Sequence, residues 1–227
     1  MAFPYRAVTF DCFGTLIDWQ LGQRTALSLL PALQPHLDQL PAIIEARGPF
    51  EIEWESGQWK PYEEILCLSL QQACLQVCGV ELSQREGMQF AHSQASWTPF
   101  ADTSAALNTL AQFTSIGLLS NCDQDTLERT AQTQLQAPID LFVSSQQVQS
   151  YKPAHGHWQQ ALKVLQCLPS EVLHVSFTPH YDLNPAHDLG FDLGFLSRYN
   201  APEPAGLPFA FVAPDLAMLV QKLQKLV

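Results

Sequence analysis

Residues 7–15 read AVTFDCFGT, an apolar stretch followed directly by an aspartate and a turn sequence. The first four residues predict a buried strand, which places Asp11 at the carboxyl end of that strand. Parallel α/β sheets bind ligands beyond the carboxyl ends of their strands, and Gly14 allows a tight turn at this point. Asp11 is therefore a candidate nucleophile. The competing interpretation is that Asp11 only caps a turn or a helix, as most aspartates after strands do, and this motif alone does not separate the two.

Strand-like and helix-like segments alternate from about residue 101 to the end of the chain. Further strands are predicted at about residues 116–120, 141–144, 172–177, 193–196 and 209–212. Helix-like segments lie between them, and this alternation is typical of α/β proteins with a parallel sheet. The sequence therefore predicts the α/β class.

Residues 19–92 interrupt this alternation with a pattern that is helical throughout and broken by prolines. Within it, Leu66, Leu70, Ala73 and Val77 repeat at helical spacing. We predict a helical cap domain at residues 19–92, inserted into a core domain formed by residues 1–18 and 93–227. Such a cap would cover the strand ends, exclude water and select the substrate.

The acidic composition of the chain limits the kinds of molecule that it is expected to bind. The 227 residues carry a formal net charge of −11 and no lysine or arginine cluster, which argues against nucleic acid and against an anionic membrane surface. A small anionic substrate remains compatible, because one buried cation can govern a pocket. No apolar run approaches the roughly 20 residues that span a bilayer, and the first residues lack a signal-peptide pattern. We expect a soluble cytoplasmic protein, either a monomer or a homodimer.

The cysteines and histidines do not predict a metal site. None of the six cysteines forms a Cys-x-x-Cys pair, and Cys67, Cys74 and Cys78 share one face of a predicted helix. We interpret these three as small buried apolar residues. Zinc needs three or four converging ligands, and the seven histidines suggest no such set, so we predict no resident metal or cofactor.

Polar residues also follow three later strands. Ser120 and Asn121 end the second strand and could donate to an anionic group, while Lys152 could approach Asp11, lower its pKa and keep it ionised. Asp182 follows the strand at 172–177 and could activate water or pair with the lysine. Each residue taken singly has an ordinary structural explanation as a turn former, a helix cap or a surface charge. Their joint occurrence at successive strand exits favours an active site.

This ordered set resembles the four motifs of the haloacid dehalogenase superfamily. The motifs correspond here to DCFGT (residues 11–15), LSN (119–121), YKP (151–153) and HVSFTPHYD (174–182). The match covers nearly the whole chain and is most similar to the type II 2-haloacid dehalogenase-like branch. The resemblance implies a Rossmann-like, doubly wound parallel sheet with a helical cap, and an aspartate, Asp11, that forms a covalent intermediate.

Two departures from the phosphatase branch of this superfamily bear on the reaction. Phosphatases of the family typically carry a second aspartate two residues after the nucleophile, as general acid, where this chain has Phe13. They also carry an acidic Mg²⁺ ligand in the fourth motif, where this chain has Ser176 and Phe177. Phenylalanine donates no proton, and the loss of one carboxylate weakens a Mg²⁺ site.

The resemblance implies a different reaction, because a halide leaves as a stable anion and needs no general acid. Asp11 would attack C2 of a 2-halo acid, and water would then hydrolyse the resulting ester. Ser120 and the turn amides near Thr15 would hold the substrate carboxylate, and Lys152 would keep Asp11 charged. Asp182, oriented by Ser176, would act on the water. For the residue near the halide, Arg47 and Arg24 of the predicted cap are candidates by position only.

Two alternatives stay open at this point. One is a Mg²⁺-dependent phosphatase that acts on a small phosphate ester through the same aspartate. The other is a catalytically silent protein of the same fold that only binds a ligand, because one fold hosts many functions.

Overall fold

A computed structural model describes residues 3–227 and divides the chain into two compact units. The first unit comprises residues up to Asp18 together with Pro99–Val227, and the second comprises Trp19–Thr98. The second unit therefore ends at Thr98, six residues beyond the predicted end at residue 92. The helical segment extends this far because a short turn follows its last helix, and the Trp97 ring then packs against Phe90 at 6.0 Å between centroids.

The second unit is helical, as the sequence predicts. Its four α-helices are α1 (Trp19–Ser28), α2 (Leu40–Glu55), α3 (Tyr62–Cys78) and α4 (Gln84–Ser93), with a 3-10 segment at Pro31–Gln39. Helix α3 ends at Gly79, whose φ of 70° lies in the left-handed region that favours glycine. Cys67 and Cys74 are buried and unbridged on α3, which agrees with their predicted role in packing.

The first unit contains a six-stranded sheet whose neighbouring strands are all parallel. The strands are β1 (Ala7–Phe10), β2 (Ser115–Ser120), β3 (Leu141–Ser144), β4 (Val172–Ser176), β5 (Asp192–Leu196) and β6 (Phe209–Ala213), in the spatial order β3-β2-β1-β4-β5-β6. The predicted α/β class and doubly wound parallel sheet are thus confirmed.

Strand β1 lies at the point where the strand order reverses. Phe10 aligns with Leu118 of β2 on one side and with Val175 of β4 on the other. The carboxyl ends of β1, β2 and β4 therefore meet at one edge of the sheet, and in open α/β sheets this position is the usual ligand crevice.

Helices α5 to α9 lie between the strands of the core unit along the chain, and α10 follows the last strand. They are α5 (Thr103–Leu110), α6 (Gln124–Thr130), α7 (Ser145–Val148), α8 (Gly156–Leu165), α9 (Asn184–Asp188) and α10 (Leu216–Gln224). Trp158 of α8 is fully buried in the apolar cluster formed with Leu119, Val143 and Leu193 of the sheet. Within residues 3–227, no helix combines the length and the apolar character needed to cross a bilayer.

Candidate active site

Asp11 lies one residue beyond β1, where its backbone N–H still donates to the carbonyl oxygen of Val175 at 3.1 Å. The chain then turns sharply at Gly14, whose φ of 102° is readily adopted only by glycine. This turn brings the Thr15 hydroxyl back to donate to Asp11 Oδ2 at 2.8 Å. One carboxylate oxygen of the predicted nucleophile is thereby fixed.

Lys152 joins the two acids that the sequence places at separate strand exits. Its Nζ lies 3.1 Å from Asp11 Oδ1 and 2.5 Å from Asp182 Oδ1. Lys152 is 2% exposed, Asp182 1% and Asp11 7%. The three predicted catalytic residues therefore form one buried chain of two carboxylates and one ammonium.

Asn121 holds the backbone of this lysine. The Lys152 N–H donates to Asn121 Oδ1 at 2.7 Å, and Asn121 Nδ2 donates to the Lys152 carbonyl oxygen at 3.3 Å. The two contacts tie the exit of β2 to the segment that carries the ammonium. Asn121 thus positions Lys152, while its predicted contact with a substrate stays a prediction.

Ser120 and Ser176 end the two strands that flank β1. Ser120 is buried, and its carbonyl oxygen accepts a hydrogen bond from His157 Nε2 at 3.1 Å. Ser176 Oγ lies 3.5 Å from Thr15 Oγ1 and accepts from the Thr178 N–H at 3.1 Å. Ser176 therefore belongs to the hydrogen-bonded turn around Thr15, whereas the sequence analysis assigned it to orienting Asp182.

His174 is the residue that contacts Asp182 instead, and sequence reasoning missed this role. His174 Nε2 lies 3.2 Å from Asp182 Oδ1, and its Nδ1 lies 2.9 Å from the hydroxyl of Thr9 on β1. Asp182 reaches this position because the chain makes one wide turn after β4, in which the Leu183 N–H donates to the Thr178 carbonyl oxygen. The signal available in the sequence was a histidine within the apolar strand segment VLHVS at residues 172–176.

The electrostatics correct one expectation about the nucleophile. Burial raises the pKa of Asp11 to about 6, and the attraction of Lys152 only partly offsets this effect, while Asp182 adds to it. Lys152 lowers the pKa of Asp11 as predicted, but burial outweighs it, so the net shift is upward. Burial is the main reason, and the second carboxylate, Asp182, which shares the same ammonium, adds to it.

The two partners of Asp11 shift in the direction that keeps them charged. Burial alone would raise the pKa of Asp182, but Lys152 and His174 outweigh it, so this pKa is lowered. Burial alone would lower the pKa of Lys152, but Asp11 and Asp182 outweigh it, so this pKa is raised. Above about pH 6 all three groups are ionised, and together the side chains of Asp11, Lys152 and Asp182 carry one net negative charge.

Arg198 supports the turn that contains Thr15, and the sequence did not predict this role. Its Nε donates to the Thr15 carbonyl oxygen at 2.9 Å, and its Nη1 donates to Asp102 Oδ1 at 2.9 Å. Asp102 Oδ2 in turn accepts from the Leu216 N–H at 2.6 Å. The guanidinium also stacks 4.0 Å from the Phe100 ring centroid. No local pattern links these four segments, because they meet only in the folded chain.

Arg47, the candidate for the halide contact, belongs to the helical unit and is engaged there. Its Nη1 lies 2.6 Å from Glu51, its Nε donates to Gln23 at 3.0 Å, and its guanidinium faces the Phe90 ring. The other candidate, Arg24, is exposed. The pairing with Glu51 neutralises the charge of Arg47, and its contact with a substrate stays a prediction.

The donors around Asp11 do not suit Mg²⁺. Within residues 3–227, no group of three or more histidine, cysteine, aspartate or glutamate side chains is arranged to hold a metal ion. Asp11 and Asp182 already share the Lys152 ammonium, and Ser176 and Phe177 stand where the phosphatases carry an acidic ligand, so that position offers only the neutral hydroxyl of Ser176. Mg²⁺ demands near-octahedral oxygen ligands, and two lysine-bound carboxylates do not provide them.

Comparison with known proteins agrees with this architecture. The sequence profile of a hydrolase family described as haloacid dehalogenase-like matches residues 5–179, so the chain belongs to the haloacid dehalogenase-like hydrolases. No curated protein sequence matches the chain.

Solved structures of L-2-haloacid dehalogenases share the fold. A defluorinating L-2-haloacid dehalogenase is 24% identical, with a TM-score of 0.83 over 97% of this chain and 95% of that one. L-2-haloacid dehalogenase from Xanthobacter autotrophicus is 21% identical, with a TM-score of 0.83 over 98% of this chain and 100% of that one. A HAD-hydrolase from Bacillus subtilis bound to magnesium is 16% identical, with a TM-score of 0.82 over 96% of this chain and 98% of that one.

Proposed function

We propose that this hydrolase displaces halide from a small 2-halo acid, without a metal ion, through an ester formed on Asp11. The observation that carries the proposal is the buried lysine shared by two carboxylates. Lys152 lies within hydrogen-bonding distance of both Asp11 and Asp182. A buried carboxylate fixed by an ammonium and a hydroxyl is suited to nucleophilic attack.

In the first step, an oxygen of the Asp11 carboxylate attacks C2 of the substrate from the side opposite the halogen. A carbon–oxygen bond forms, the carbon–halogen bond breaks, and the halide leaves with the bonding electron pair. No proton is required, which fits Phe13 two residues after the nucleophile. Thr15 and Lys152 restrain Asp11 during the attack through their contacts with its two oxygens.

In the second step, water attacks the acyl carbon of Asp11 while Asp182 accepts a proton from it. The ester carbon–oxygen bond then breaks, and the leaving oxygen takes that proton to give a 2-hydroxy acid. The oxygen of the water remains in the Asp11 carboxylate, and the overall reaction releases one halide and one proton. Lys152 offsets negative charge on the tetrahedral intermediate.

The proposed substrate is a small anion, and the charge of the site constrains how it binds. The Asp11–Lys152–Asp182 chain is already net negative when ionised, so an added carboxylate must be held by neutral donors. The hydroxyl of Ser120 and the backbone amides near Thr15 are the proposed donors. This requirement favours a small substrate whose carboxylate reaches the turn.

Phosphate ester hydrolysis is the second candidate, because the covalent aspartate serves both reactions and a structurally similar HAD-hydrolase is described as bound to magnesium. Against it stand the poor fit of the donors to Mg²⁺ and the absence of an acid at Phe13. The phosphatase would also require a general acid for the leaving alcohol.

A paired assay separates the two reactions. The protein is incubated with each enantiomer of 2-chloropropionate and, separately, with p-nitrophenyl phosphate, each with added Mg²⁺ or with EDTA. We expect chloride release that EDTA does not reduce. Phosphate release that EDTA abolishes, with no chloride release, would overturn the proposal. Turnover in ¹⁸O-labelled water should place label in Asp11, and absence of label with every substrate would favour a silent binding protein.

A further inference from the structure

We propose that Thr9 and His174 position Asp182 for ester hydrolysis, by holding one of its oxygens and leaving the other to the attacking water. This inference rests on the proposed function and extends it to a specific step. His174 is fully buried in β4, and its two ring nitrogens contact Thr9 and Asp182. Neither Thr9 nor His174 contacts Asp11 through these bonds, so their effect passes through Asp182.

The hydrogen-bond partners determine which nitrogen of His174 carries the proton. Ionised Asp182 can only accept, so the Nε2–H must donate to Asp182 Oδ1 over the 3.2 Å contact. The Nδ1 atom of the neutral ring is then an acceptor, and the Thr9 hydroxyl donates to it at 2.9 Å. Asp182 thus determines the tautomer, and the Thr9 hydroxyl matches it by donating to the unprotonated Nδ1.

The surroundings of His174 keep the ring neutral. The rings of Trp158 and Phe191 lie 5.5 Å and 6.5 Å from it, and the ammonium of Lys152 opposes a second positive charge. Burial lowers the pKa of His174, and Asp182 only partly counters this effect. His157, the other buried imidazole nearby, has its pKa lowered to about 3 and is also neutral. His174 therefore supplies a hydrogen bond without adding charge.

The two carboxylate oxygens of Asp182 differ in their hydrogen-bond partners. Oδ1 accepts from both Lys152 and His174, whereas Oδ2 is buried and has no hydrogen-bond partner among the described residues. A buried carboxylate oxygen without a donor is costly, and polar atoms of this kind often serve chemistry or bind water. Oδ2 is the atom that would accept the proton of the hydrolytic water.

Three variants test the role of His174. His174→Phe keeps a flat ring but removes the donor, and His174→Gln places an amide N–H near the position of Nε2. Thr9→Val removes the hydroxyl that donates to Nδ1 and holds the ring in place. We expect ester hydrolysis to slow about 10- to 100-fold in His174→Phe. The loss should be smaller in Thr9→Val, and His174→Gln should restore most of the rate.

The decisive readout is the ratio of the two chemical steps. Rapid-quench measurement with 2-chloropropionate gives the rate of chloride release, and intact-protein mass spectrometry gives the rate of ester loss. We expect His174→Phe to release the first chloride at nearly the wild-type rate and then to accumulate ester. Equal slowing of both steps would overturn the inference. If His174→Phe does not fold, the ratio of chloride release to ester loss is measured in Thr9→Val and His174→Gln instead.

An independent measurement separates this inference from the proposed function. Two-bond ¹H–¹⁵N correlation spectra of the wild-type protein report the tautomer of His174 without any substrate. We expect protonated Nε2 and unprotonated Nδ1 in the wild type and also in Thr9→Val, because Asp182 still accepts from Nε2–H. Protonated Nδ1 in the wild type would overturn the inference even if ester chemistry is normal. Absence of ester in the wild type with every 2-halo acid would instead defeat the proposed function.

Discussion

Two ionic clusters, one in each unit, differ in how their charges balance, and this difference separates packing from chemistry. In the helical unit, Arg47 pairs with Glu51 four residues later, one cation against one anion, and neutral groups complete its contacts. In the core unit, Lys152 serves both Asp11 and Asp182, and one oxygen of Asp182 has no partner in residues 3–227. The charges of Arg47 and Glu51 cancel, so this pair needs no ligand. The two carboxylates around Lys152 exceed its single positive charge, and their oxygens remain available for chemistry.

The largest effect is expected from removing the nucleophile. Asp11→Asn should lower chloride release from 2-chloropropionate at least about 1,000-fold, because an amide oxygen is a poor nucleophile. The matched control is Asp125→Asn on α6, where the side chain is exposed and its partner Arg129 is 3.7 Å away. Full activity in Asp11→Asn, measured by halide release and by intact mass, would remove Asp11 from the mechanism.

The next effect tests the shared cation. Lys152→Met leaves two buried carboxylates facing each other, so the pKa of Asp11 should rise further and chloride release at neutral pH should fall about 100-fold or more. Thermal unfolding should show lower stability. Lys163→Met is the control, because Lys163 lies exposed on α8. A wild-type pH profile in Lys152→Met would show that the lysine does not set the charge of Asp11.

The wild-type pH profile follows from the raised pKa of Asp11. The first step needs the ionised carboxylate, so its rate should be level above about pH 6 and fall about tenfold per unit below it. The rate must fall as the pH falls, because protonation of Asp11 removes the nucleophile. Single-turnover chloride release measured across this range tests the expectation. A midpoint near the ordinary aspartate value would mean that burial does not outweigh Lys152.

The smallest effect should come from the balanced pair. Glu51→Gln leaves the Arg47 guanidinium buried without its counter-charge, and we expect the free energy of unfolding to fall by about 1–3 kcal/mol. The double variant Arg47→Met/Glu51→Gln should be less destabilised than the sum of the two single variants. Urea denaturation of the four proteins measures this coupling. Simple additivity would show that the pair contributes no net interaction.

Much of the core unit was predictable because its signals are local. Alternation of apolar and helix-like segments predicted the parallel sheet, and Asp11 and Ser120 were placed at strand exits by the residues beside them. The helical character of residues 19–92 followed from spacing as well. The second boundary was misplaced because a helical turn and a packed tryptophan continue past the last clear periodic signal.

The contacts within the site were harder to predict, because they join distant segments. Ser176 was assigned to Asp182 from proximity in sequence, yet its neighbours are Thr15 and Thr178. The pKa of Asp11 was expected to fall because a lysine was nearby, but the balance depends on burial and on the charge of the second carboxylate that shares the lysine. Neither quantity is encoded in a local pattern.

By itself, the amino-acid sequence determined the family, the α/β class and the residues that follow the strands, since motif spacing and hydrophobic periodicity are properties of short segments. Only the tertiary structure decided how those residues share their hydrogen bonds. Thr9 and His174 are 165 positions apart, and Lys152 and Asp11 are 141 positions apart. Whether such pairs meet depends on strand order and register, and a difference of a few tenths of an ångström then decides which carboxylate holds the ammonium more tightly.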